Sequence, residues 1–123
     1  MTVTKARKAT KSQKQIKMEN DQLLHQLNDC ITACNACYNA CLNEKDINML
    51  TRCIELDREC ADICQFAVSL LTRDSENAGK ILDLCAEICE DCAVECEKHE
   101  HDHCLHCAKV CRSCADACKN MVY

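Results

Sequence analysis

Apolar and thiol side chains recur along this chain at alternating intervals of three and four residues, with charged and amide side chains between them. A helix turns once in about 3.6 residues, so such steps hold successive side chains on one stripe of its surface. Four stretches carry the pattern. The first starts at Asn20 or Asp21, either of which can act as N-cap, and its stripe runs Leu23, Leu27, Cys30, Cys34, Cys37, Cys41. A polar break at 43–46 follows, with Asp46 as the cap of a second helix bearing Met49, Cys53, Asp57, Cys60, Cys64, Val68 and Leu71. After a break at 73–75, capped by Asp74 or Ser75, the third stripe reads Ala78, Leu82, Cys85, Cys89, Cys92, Cys96 and then His99. The last break, 98–102, leads into a helix from about His103 through Cys104, Cys107, Cys111, Cys114 and Cys118 to Met121.

Three short connections between four helices of about 20 residues predict an all-α, antiparallel up-down-up-down four-helix bundle with a Cys-lined core over residues 20–123. Alternating direction then sorts the stripe ends. Leu23, Leu27, Val68, Leu71, Ile81 and Leu82 gather at one end as an apolar plug, where Met121 also falls as core filler. Met49, His99, His101 and His103 gather at the other. One end is expected to be closed and dry, the other to carry soft or borderline ligands.

Composition sharpens this picture. Sixteen cysteines stand beside no proline, one glycine and three aromatic residues in 123 positions, a combination too poor in turn formers for a loop-rich disulfide scaffold. Residues three or four apart on a helix have Cβ atoms roughly 5–6 Å apart, too far for a disulfide within one helix, so reduced thiols are expected. The first nineteen residues hold six Lys/Arg and one Glu, and are read as a disordered basic tail, with docking to an anionic surface as the functional alternative. Residues 20–123 hold nine Lys/Arg against nineteen Asp/Glu, which argues against nucleic acid as the main partner. No stretch approaches a membrane span or a signal peptide, so a cytoplasmic location and no membrane partner are expected.

Every cysteine lies on a stripe, which points to metal binding rather than to core filling or to a single nucleophile. Zinc takes four N/S ligands in a tetrahedron, and iron–sulfur clusters are held mainly by loops; zinc buffering and an iron–sulfur redox carrier are the alternatives. Monovalent copper is soft and accepts two or three thiolates, a number that one helical turn plus a facing helix supplies. On the order of one Cu(I) per cysteine is expected, because one charge per thiolate keeps a dry core near neutral. Asp57, a poor Cu(I) ligand, interrupts the second stripe, either leaning toward the mouth or bonded to a neighbouring thiol or Arg, or else adjusting local loading or proton balance. His99, His103 and His101 join Met49 as candidate ligands, whereas His106 and His25 are read as surface or interface residues.

Three stretches carry a resemblance to a known family: the run from Cys85 to Cys96, the segment Lys98-His99-Glu100-His101, and the run from His103 to Cys118. With them the chain from about Leu23 to Met121 resembles the four-helix-bundle copper storage proteins of bacteria, in their cytosolic branch. The resemblance implies Cu(I) as cargo, access at the His-bearing mouth, a homotetramer, and storage or sequestration rather than catalysis. Copper chaperones or copper enzymes are then the expected exchange partners.

Overall fold

The computed structural model describes residues 12–121. Its main elements are α1 (Gln13–Leu42), α2 (Thr51–Thr72), α3 (Ala78–Cys96) and α4 (Asp102–Lys119), with a 3-10 turn at Ile47–Leu50 leading into α2. Each helix packs on two neighbours: α1 on α2 and α4, and α3 on α2 and α4. The result is a square antiparallel bundle, and all sixteen cysteines are buried and unbridged in its core.

Alanine makes the close approach possible. Ala61, Ala86, Ala93, Ala108 and Ala115, each directly following a cysteine, are buried beside the thiols, as is Ala33 before Cys34. Small side chains at these positions let the helix backbones approach, so that thiols from different walls meet along the axis. The recurring Cys-Ala dipeptide was the available sequence signal, and the stripe reading passed over it.

The helix ends differ from expectation in four places. First, α1 begins at Gln13 rather than near Asn20. Ser12 Oγ accepts the Gln15 N–H at 3.1 Å while Gln15 Oε1 accepts the Ser12 N–H at 3.0 Å, a reciprocal capping box. The expected tail is therefore helical over 13–19, and its remaining residues, 1–11, lie outside the described residues. Second, Asp46 makes no side-chain cap; its carboxylate turns to His101 instead.

Third, Asp74 ends α2 rather than starting α3, whose N-cap is Asn77. Asp74 sits at φ 54°, its N–H bonded to Leu71 C=O and the Ser75 N–H to Leu70 C=O, the paired bonds of a Schellman turn. Fourth, the 3-10 turn shifts the register before α2. Leu50 is fully buried while Met49 is 72% exposed, so Met49 does not face the column as its stripe position predicted.

At the opposite end the plug is built from Leu23, Leu27, Ala67, Leu70, Ala78 and Leu82, with Val68, Leu71, Ile81 and Met121 packed against the core more shallowly. Val68 and Leu71 thus cover the seam that Ala67 and Leu70 occupy. Each fully buried leucine contributes roughly 2–3 kcal/mol by removal from water.

Candidate metal centre

The 4-3-4 stepping of α2 and α3 runs in opposite directions and meets rung by rung. Cys53 faces Cys96 at 3.3 Å between sulfurs, Cys60 faces Cys89 at 3.5 Å, and Cys64 faces Cys85 at 3.6 Å. The remaining rung pairs Asp57 with Cys92, whose Sγ is 3.4 Å from Oδ1. On the other two walls the thiols interleave, Cys111 lying 3.6 Å from Cys34 and 3.8 Å from Cys30. Sulfurs from different walls form sets of four whose donor atoms all lie within 4.8 Å, among them Cys37, Cys41, Cys53 and Cys104 near the mouth and Cys30, Cys60, Cys64 and Cys89 deeper in.

Asp57 is fully buried in this column. Its Oδ1 accepts from Cys92, from Cys107 at 3.5 Å and from Cys96 at 3.7 Å, and Cys53 lies 3.9 Å from Oδ2. Burial, followed by the negative charge that Cys107 and Cys92 would carry, pushes its carboxyl up to about 10. The acid is therefore neutral at physiological pH and held by thiols, the first of the two roles the sequence left open for it. No buried side-chain nitrogen or oxygen among the described residues lacks a partner.

The thiols titrate as an array in which neighbours oppose one another. Hydrogen bonds from Cys37 and Cys96 favour the thiolate of Cys53. Burial is the foremost cause pushing Cys41 up and Cys104 up to about 12. A soft cation placed between such sulfurs replaces their protons, so binding and proton release are coupled.

His103 closes the column at the mouth. Its Nδ1 lies 3.5 Å from Cys104 Sγ, 3.6 Å from Cys37 Sγ and 3.9 Å from Cys41 Sγ. On the far side of the ring, Nε2–H donates to Glu44 Oε2 at 2.9 Å. With Nε2 turned to a carboxylate, Nδ1 is the ring nitrogen that faces the three sulfurs, the orientation in which it can serve as a ligand beside them. Glu44 was not anticipated: it lies 59 residues from His103 in sequence, and only the return of α4 to the α1–α2 connection brings them together.

The other histidines form an outer ring. His101 stacks on His103 with ring centroids 5.2 Å apart, and its Nε2 contacts both Asp46 carboxylate oxygens at 3.1 Å, which raises its pKa. His99 Nε2 donates to Glu95 Oε2 at 3.0 Å, and Glu95, almost completely buried, also accepts from Lys98. His103 thus meets the thiols directly, while the structure joins His101 and His99 to carboxylates. Met49 stands outside this arrangement, and His25 and His106 are exposed on the outer surface, as expected.

The copper storage protein (Csp) family model matches residues 16–123. The uncharacterized cysteine-rich protein YhjQ of Bacillus subtilis (strain 168) is 53% identical over 93 residues, covering 76% of this chain and 86% of that protein. Among solved structures, the Cu(I)-bound copper storage protein BsCsp3 superposes with a TM-score of 0.82 at 47% identity, covering 85% of this chain and 99% of its own. The cytosolic copper storage protein of Streptomyces lividans, loaded with five coppers, gives a TM-score of 0.84 at 34% identity over 87% of this chain and 94% of that one. Fold, thiol column and match over nearly the whole described chain agree: the chain belongs to the Csp copper storage protein family.

Proposed function

We propose that this protein stores or sequesters Cu(I) in the cytoplasm, with all sixteen cysteines as ligands and His103 Nδ1 as the nitrogen donor at the mouth. The observation that carries the reading is the thiol column itself, which reaches from the leucine plug to a histidine whose Nδ1 faces three sulfurs. His101 and His99 form the outer ring through which copper reaches His103, and exposed Met49 takes no part in holding the cargo. With copper at about one ion per thiolate the core stays close to neutral.

The role is storage without catalysis, since the thiol array nominates no single nucleophile with its own base. No helix of the described residues is long and apolar enough to cross a membrane, which fits a cytoplasmic store, as does the cytosolic relative. A homotetramer and exchange with copper chaperones or copper enzymes complete the proposal. Competition decides the cargo: the reduced protein, offered equal Cu(I) and Zn²⁺ under anaerobic conditions, takes up Cu(I) and releases any zinc. Retention of about one Zn²⁺ per four cysteines against equimolar Cu(I) overturns the reading.

A further inference from the structure

Four sets of three sulfurs close into triangles. At the mouth, Cys37, Cys41 and Cys104 are separated by 3.8, 4.0 and 3.8 Å. Deeper, Cys34, Cys107 and Cys111 give 3.8, 3.6 and 3.9 Å, and Cys30, Cys60 and Cys111 give 3.6, 3.8 and 3.9 Å. Near the plug, Cys64, Cys85 and Cys89 give 3.6, 3.8 and 3.9 Å. Each triangle combines a CxxxC pair or facing thiols with a third sulfur from another wall, so the bundle fixes it before any ligand arrives.

A planar three-coordinate ion with bonds to sulfur of about 2.3 Å spans a triangle of about 4 Å edge. A pyramidal centre with the same bonds at angles of about 100° needs edges of about 3.5 Å, within a few tenths of an ångström of those present. We infer that these triangles also bind trivalent metalloid hydroxides, arsenite and antimonite, through three sulfurs each. The step balances without an oxidant or a base: As(OH)₃ and three thiols give As(SR)₃ and three waters. Three As–O and three S–H bonds break, three As–S bonds form, and each thiol proton leaves on a hydroxide oxygen. A neutral reactant thereby enters a dry column of thiols and leaves no charge behind, whereas Cu(I) enters as a cation and displaces a proton. Cys111 belongs to two triangles, so three of the four can be filled at once.

The test shares its thiols with the storage reading and therefore runs both ligands on one preparation. Reduced protein is titrated anaerobically with sodium arsenite and, separately, with Cu(I), each followed by native mass spectrometry, thiol counting and proton release in weak buffer. Expected are about three arsenic atoms per chain, each adding the mass of arsenic less three hydrogens, each removing three titratable thiols and releasing no proton. Cys41→Ser, which opens the mouth triangle, lowers the arsenic count by one. Adducts that keep a hydroxyl, or no adduct at arsenite levels that saturate a small dithiol, overturn the inference while Cu(I) loading proceeds. Failure of Cu(I) loading itself overturns the storage reading instead.

Discussion

Asp57 carries a proton that an unfolded chain at the same pH would lose. In water an aspartate ionises near 4, and in the column its pKa is pushed up to about 10, first by burial. Between those values the folded state binds a proton that the unfolded state does not, so stability falls as pH rises through the window and is untouched below it. At pH 7 the cost is on the order of 4 kcal/mol. Asp57→Asn keeps the shape and accepts from the same thiols, so the reduced apo-protein should gain a few kcal/mol at pH 7 and almost nothing at pH 3.5. Thermal melts at the two pH values check this, and an equal gain at both would show that ionisation is not the cause. Glu44 offers a second residue-scale prediction. By orienting the His103 ring it tunes the mouth donor, so Glu44→Ala should weaken the outermost copper site by roughly 10–100-fold, read by chelator competition, with total capacity unchanged.

Helical elements were legible because thiols replaced leucines without disturbing the three-four spacing, so stripe, bundle and polarity all followed from periodicity. Periodicity stops at a helix end, and there the reading slipped. The 3-10 turn at Ile47–Leu50 rises faster per residue than an α-helix and moves the buried position from Met49 to Leu50. Asp74 looked like a helix start because aspartate is a good N-cap, yet it also tolerates the left-handed conformation that closes α2. Asp46 and Glu44 escaped because their partners come from distant turns: Asp46 and His101 are 55 residues apart, Glu44 and His103 59. Two substitutions test the elements. Asp74→Gly should raise stability by about 0.5–1 kcal/mol in chemical denaturation, since glycine adopts positive φ at no steric cost. Leu50→Ala, fully buried, should cost about 2–5 kcal/mol while the sixteen thiols remain available.

For the whole molecule the geometry divides the work between a closed end and an open one. The leucine plug supplies ordinary hydrophobic stability at one end, and the interior beyond it is given over to thiols. A core of this kind ties its own charge to its cargo: each thiol that is protonated when empty gives up its proton to the Cu(I) it accepts. An anaerobic titration of the reduced protein with Cu(I), following bound copper and released protons together, measures whether the column is a copper store. Saturation is expected on the order of one copper per cysteine, with protons released as copper binds at pH 7. Saturation after only a few equivalents, with most thiols still reactive, would contradict it.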